Sequence, residues 1–241
     1  MVTLTYQERF KTIKGVFDEF TNRNLFKLQS QGAFDELVSP LKVGKESNVF
    51  IAKKGKESII VKIYNVQNCS FKRMFDYIKQ DSRYEFLHQK RREIIFSWTQ
   101  REYKNLLKAQ KVHIKSPKPL GWKMNIIIEE MIGEPALPMK DSVPEHPEQF
   151  LQAIVLEMKK LFQGGLVHGD LSAFNILNYN EEPYLIDFSQ ATLTKTHNAE
   201  ELLQRDIKNI CTFFSKLGVK VNAEEIRKEV TSGDKGILVK S

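Results

Sequence analysis

Apolar residues along the chain switch from helical spacing to strand spacing and back, and the switches mark out its architecture. In TNRNLFKLQSQ, Leu25, Phe26 and Leu28 follow Thr21, a possible cap, and precede Gly32, so the spacing predicts an amphipathic helix over 21–31. From 37 to 65 the runs LVSPLKVG, NVFIAKK and SIIVKIY are short and β-rich. Breaks at Gly44 and at Lys54-Gly55-Lys56 predict an antiparallel meander. Residues 66–97 form a basic, aromatic segment with Phe71, Arg73, Tyr77, Arg83, Tyr84, Lys90, Arg91 and Arg92, expected to be mobile in part. It leads into the helical stretch WTQREYKNLLKAQ, and two strands, LGWK and NIIIEEM, are predicted after Pro117 and Pro119.

The Gly- and Pro-containing stretch IGEPALPMKDSVPEHP then interrupts both periods and reads as a hinge, with a boundary near 132–146. Beyond it QFLQAIVLEMKKLF, EELLQRDIKNICTFFSKL and AEEIRKEV have helical period, whereas FNILNY and PYLIDF read as a small hairpin. The expectation is an α+β fold in two lobes: an amino-terminal lobe over 1–131 built on antiparallel strands, and a mainly helical lobe over 132–241.

Composition changes this picture little. The 241 residues, with 41% hydrophobic and 28% charged, are those of an ordinary folded protein long enough to bury a sizeable core. The longest apolar runs, Ile126-Ile127-Ile128 and Ala153-Ile154-Val155-Leu156, are far shorter than a membrane span, and MVTLTYQERF lacks the features of a secretion signal, so the cytoplasm is the expected compartment. Cys69 and Cys211 stand far apart without ligand spacing and are expected reduced, with Cys211 buried. The histidines show no metal-binding spacing. A formal charge of +7 favours acidic partners, nucleotides, RNA or phosphoprotein, and serves solubility equally well.

The chemistry is concentrated in LVHGDLSAFN and, shortly after, LIDF. Phosphoryl transfer needs a carboxylate to orient the attacking hydroxyl and oxygen ligands to hold magnesium on the phosphates. Asp170, Asn175 and Asp187 supply these groups, Asp170 from a tight loop and Asn175 from the start of the next strand. HGD alone would describe a capped turn, but the ordered set with Asn and IDF is specific. Upstream, Lys62 lies in the apolar run Val61-Lys62-Ile63, where a lysine is costly unless paired. A phosphate and the helical Glu102 are its expected partners. Val43, Gly44, Lys45, Glu46 and Ser47 lie between the first two strands, where amides and a hydroxyl can meet phosphate oxygens, although one glycine is fewer than a kinase phosphate loop carries.

Taken in order, GKESNVF, FDYIKQDSRYE, WTQREYKNL, LVHGDLSAFNIL, IDFSQA and LLQRDIKNICTFF resemble the RIO family of atypical serine/threonine protein kinases, most closely its first-named branch, over residues 15–215. The resemblance implies a two-lobed protein-kinase-like fold with trimmed activation and peptide-docking segments, ATP as substrate, and magnesium as the metal, with manganese able to replace it. It implies Asp170 as catalytic base, Asn175 and Asp187 as metal ligands, Lys62 as phosphate anchor, and Glu130, Met131 and Ile132 as the adenine-contacting hinge. Asp187 is also a candidate acceptor of phosphate, and Asp206 in LLQRDIKNI a tether for the catalytic loop.

The implied role is that of a kinase or ATPase in maturation of the small ribosomal subunit, with the precursor particle as partner and the 66–97 segment as an RNA contact. This sequence departs from the family at Lys42-Val43, where a Ser-Thr pair is usual, at Glu129, in the gatekeeper position often held by Met, and at His197-Asn198, often His-Pro. Two other readings use the same residues: a small-molecule phosphotransferase, against which FDYIKQDSRYE and SQA weigh, and a nucleotide-gated assembly factor without turnover.

Overall fold

The computed structural model of the chain describes residues 17–233 apart from 68, 85, 86 and 89. The first helix, α1 (Glu19–Ser30), begins two residues before the predicted start. Its cap is Asp18, whose carboxylate accepts from the Thr21 amide at 2.7 Å and so satisfies one of the free amides of the first turn. Thr21 is instead buried, its hydroxyl accepting from Asn125 at 3.0 Å. Leu25 and Leu28 face the core, whereas Phe26 is 65% exposed and lies off the buried stripe.

The predicted meander is β1 (Glu36–Val43), β2 (Ser47–Lys54) and β3 (Glu57–Tyr64). With β4 (Pro119–Lys123) and β5 (Ile126–Glu130) it makes a five-stranded antiparallel sheet in the order β1-β2-β3-β5-β4. Strand alternation divides the sheet's two faces. Ile59, Val61, Ile63, Ile126 and Ile128 pack with Leu25, Leu28 and Phe34 under α1. By the same alternation Ile60, Lys62, Ile127 and Glu129 turn the other way. Lys62 therefore sits on a central strand and not an edge.

Of the segment expected to be mobile in part, residues Phe71–Lys79 form α2, and Ser82–Tyr84 a 3-10 turn. Met74, Ile78 and Tyr84 are buried against Ile94, Ile95 and Trp98 of α3 (Arg91–Lys111), so apolar packing holds this basic stretch on the fold. The helix α3 starts seven residues before WTQREYKNLLKAQ because Ile94 and Ile95 extend its buried face.

The stretch expected as a plain hinge contributes β6 (Leu137–Pro138), which joins a three-stranded sheet with β8 (Ile176–Tyr179) and β9 (Glu182–Leu185). A second small pair is β7 (Leu166–Val167) with β10 (Thr192–Leu193). Around these lie α4 (Pro147–Gln163), α5 (Ala199–Lys216) and α6 (Ala223–Thr231), whose apolar faces share one core. Leu106 and Ala109 of α3 and Ile127 of β5 belong to that core too, so α3 is packed against both halves. Cys69 and Cys211 are both buried and unbridged.

Candidate active site

Lys62 is 7% exposed, and its ammonium lies 2.7 Å from the Glu102 carboxylate and 3.0 Å from that of Asp187. Glu102 reaches it from α3 and is completely buried; its other oxygen accepts from the Tyr64 hydroxyl. Burial opposes charge on the ammonium, but the two facing carboxylates of Asp187 and Glu102 raise its pKa well above the usual lysine value. The result is a permanently cationic point between the sheet and the loop after β9.

Asn175 and Asp187 come together through the β8–β9 hairpin. Ile176 pairs with Leu185, and the Ile186 amide donates to the Asn175 carbonyl at 3.0 Å, so the residues flanking the two strands emerge at the same end. Asn175 lies one residue before β8 and not in it. Its amide donates to the Asp170 carbonyl at 2.8 Å and to the Asp170 carboxylate at 3.2 Å. Asp187 adopts a left-handed backbone, φ 63°, a strained state for a residue with a Cβ. Although burial works against its charge, Lys62 and the Ser189 hydroxyl, 2.6 Å away, hold the Asp187 carboxyl down at about 2. Asp170 moves the other way: burial and the Asp187 charge raise it, against the pull of Arg205 and Arg73.

The loop carrying Asp170 is fixed from below by α5. Asp206, 1% exposed, accepts from the Gly169 amide at 2.7 Å and from the Leu171 amide at 2.8 Å. Arg205 donates to the Gly169 carbonyl and, at 3.2 Å, to the Tyr77 hydroxyl of α2. Gly169 itself has φ +77°, and a Cβ there would stand 2.9 Å from the Gln190 carbonyl oxygen. Burial pushes His168 down to about 4, so its ring is neutral, with Nε2 donating to the Ile186 carbonyl at 3.0 Å. Its role is to join the two loops.

Between the sheet and the hairpin opens a cleft of about 450 Å³. Lys62, Glu130, Met131, Ile132, Asn175 and Asp187 line it, as do Lys42 and Ser47 at the first turn of the sheet. Apolar walls come from Val49, Ile60, Leu177 and Ile186. A concave site with apolar walls and several charged groups suits a small organic ligand that carries charge.

A family model for the RIO domain matches residues 48–227. The chain belongs to the RIO domain family. It is 38% identical to the RIO-type serine/threonine-protein kinase Rio1 of Methanocaldococcus jannaschii, covering 94% of this chain and 79% of that one. It is 33% identical to the Rio1 of Haloferax volcanii, over 95% and 80% of the two chains. The human serine/threonine-protein kinase RIO1 is 30% identical over 87% of this chain, which spans only 39% of that protein. Among solved structures, the Rio2 kinase of Chaetomium thermophilum superposes with a TM-score of 0.68 at 24% identity, covering 88% of this chain and 67% of that one. A second structure of that protein, its ADP/Mg2+-phosphoaspartate complex, gives 0.68 at 23% identity, over 87% and 66%. The two-lobed kinase-like α+β fold and the enzyme class, a RIO-type protein kinase, follow.

Within this RIO domain the structure separates the expected site residues into those at the cleft and those behind it. Val43, Gly44, Lys45 and Glu46 are not among the cleft-lining residues, and Val43 is 70% exposed. Their turn is held by two asparagines that the sequence reading passed over. Asn48 accepts from the Gly44 amide at 3.3 Å, and Asn65 donates to the Gly44 and Lys45 carbonyls at 3.0 and 3.1 Å. Glu102 touches the cleft only through Lys62. Tyr64, Ser189, Arg205 and the set Asp81, Arg83, Arg101 and Asn105 were also missed. The buried Asp81 takes both arginines, and Asn105 donates to the Phe188 and Ala191 carbonyls at 3.1 and 2.7 Å. The available signal was the helical spacing of Arg101, Glu102 and Asn105, polar residues on what proves the buried face of α3.

Proposed function

We propose that the cleft binds ATP with magnesium and that the protein moves the terminal phosphoryl group as a serine/threonine kinase or ATPase. The observation that carries this reading is the Lys62 ammonium held between Glu102 and Asp187 beside a cleft that Asn175 and Asp187 also line. An anchored cation next to two hard oxygen donors is what a triphosphate requires.

The donor set fits magnesium. Asp187 is held ionised, and the Asn175 amide nitrogen is engaged by Asp170, so the side-chain oxygen is the group Asn175 would offer an ion. Magnesium takes few protein ligands and completes its shell with phosphate and water, so two oxygen donors suffice for it. When bound by Asn175 and Asp187, magnesium, or manganese in its place, would neutralise charge on the phosphates.

Lys62 anchors the inner phosphates, and the Glu130–Ile132 stretch takes the base. Ser47 is the residue of that turn placed to meet the tail, whereas Val43, Gly44, Lys45 and Glu46 stand outside the cleft lining with the Gly44 amide taken by Asn48. Asp170, oriented by Asn175, accepts the proton of the attacking hydroxyl. Its raised proton affinity suits a base, and Arg205 and Arg73 nearby keep it from rising further. Asp187 is the candidate acceptor if phosphate passes to the protein itself.

The wider role we propose is maturation of the small ribosomal subunit in the cytoplasm. The net charge of +7 and the basic side chains around α2 support contact with the RNA of the precursor particle. Turnover of labelled ATP by wild type, Asp170→Ala and Asp187→Ala tests the reading. Large losses in both variants are expected, and equal rates in all three would reject the assignment.

A further inference from the structure

Glu129 is a carboxylic side chain in the wall of the cleft with no part in holding phosphate or metal. On β5, Ile126 and Ile128 face the core under α1, whereas Ile127 and Glu129 turn to the opposite face. Glu129 is paired across the ladder with Ile60, which lines the cleft, and it precedes Glu130, Met131 and Ile132 on the same wall. It is 7% exposed, and its Oε1 is shut off from solvent without a hydrogen-bond partner. A buried polar atom left unpaired is destabilising, so such a side chain in a cleft wall marks a place for a ligand atom. Lys62 offsets its charge only in part: the hydrogen bond of that ammonium goes to Glu102, and its close ion pairs are with Glu102 and Asp187.

We propose that the Glu129 carboxyl is the base-reading group of this cleft, accepting from the exocyclic amine of adenine and donating to N7, so that the site selects adenine over 6-oxo purines. The inference rests on the nucleotide reading above and deepens it. Burial and the neighbouring Glu102 charge push Glu129 up to about 8, so at neutral pH it is a carboxylic acid with one donor and one acceptor. That is the hydrogen-bonding pattern of an Asn or Gln amide, which matches the N6 and N7 edge of adenine. Guanine and hypoxanthine present two acceptors, O6 and N7, along the same edge, and one acid proton cannot satisfy both. With the main chain of residues 130–132 on the adjoining edge, a side chain one residue earlier on the same wall would border N6 and N7. A methionine in this position packs against the base without reading it.

Equilibrium binding of ATP, 7-deaza-ATP and ITP to the full chain tests this, with Glu129→Gln and Glu129→Met as variants. Wild type should prefer ATP to 7-deaza-ATP by about 10-fold or more, the scale of one lost half of a bidentate contact. Glu129→Gln, which keeps a donor and an acceptor, should retain the preference for ATP over both analogues. Glu129→Met should bring ATP and 7-deaza-ATP to near-equal affinity and narrow the gap to ITP. Equal binding of ATP and 7-deaza-ATP by wild type, or an unchanged preference in Glu129→Met, overturns the inference while leaving ATP binding intact. Failure of wild type to bind any of the three removes the nucleotide reading and this inference with it.

Discussion

Arg101 donates from Nη1 to the Ser189 carbonyl at 2.8 Å, tying α3 to the turn that follows Asp187. Its sequence neighbour Glu102 holds Lys62, so one helix sets the positions of both charged partners of that lysine. Arg101 is 1% exposed and also reaches Asp81, which is fully buried. Replacing Arg101 by Met would leave Asp81 with Arg83 alone and release the loop. A loss of about 2–3 kcal/mol, the scale of a buried hydrogen bond to a charged group, is expected from chemical denaturation, together with a marked fall in ATP turnover. Unchanged stability would show that the network does not hold the loop.

Gly169 is the other fixed point of the site. Gly169→Ala would add a Cβ 2.9 Å from the Gln190 carbonyl oxygen on a backbone with φ +77°. Strain in the left-handed region and displacement of main chain together should cost about 2–4 kcal/mol, read from the urea midpoint at constant slope. Turnover should fall as well, because Gly169 and Leu171 present their amides to Asp206 only in the present loop shape.

Lys62→Met removes the ammonium that Asp187 and Glu102 share. Both carboxylates then lose their counter-charge, and Asp187 should titrate well above its present position near 2. A drop in ATP turnover of about 100-fold or more is expected for loss of an electrostatic contact of this type. Steady-state kinetics on folded variant decide this, and near wild-type turnover would remove Lys62 from the mechanism.

Glu129 should leave a signature in stability against pH. Its folded-state pKa of about 8 lies above the ordinary 4.5, so between those values the unfolded chain releases a proton that the folded protein keeps. Its contribution is complete below about pH 4.5 and is lost as pH rises towards 8, by an amount on the order of a few kcal/mol. Denaturation midpoints of wild type and Glu129→Gln, measured from pH 5 to 8, should converge at the acid end and separate in favour of the variant at the alkaline end. Parallel curves would show that Glu129 is ionised in the fold.

Much of this was legible in the residues. The strands β1 to β5, the three carboxy-terminal helices and the hairpin follow from hydrophobic period, because their faces are fixed by what each must bury. Asp170, Asn175 and Asp187, which the fold brings to one end of the hairpin, stood out in the residues as oxygen-bearing groups at short, ordered spacings. The helix over 71–79 was not, since its buried stripe of Met74 and Ile78 is hidden among aromatic and basic residues that proved to pack or to stay exposed. The cap at Asp18 and the short strand at Leu137–Pro138 were missed for a related reason: a cap or a two-residue strand has no period of its own.

Residue types and their spacing were enough to fix which faces of helix and strand had to be buried and to single out a short run of oxygen-bearing side chains. Long-range packing is what makes Arg101, Asn105, Asp81 and Ser189 brace one loop and sets Glu129 in the cleft wall with an oxygen unpaired. Local pattern reports the environment a residue prefers, because burial acts on each side chain separately. Which partner it finds there depends on segments far apart in the chain meeting in one place, and nothing in the neighbouring residues encodes that meeting.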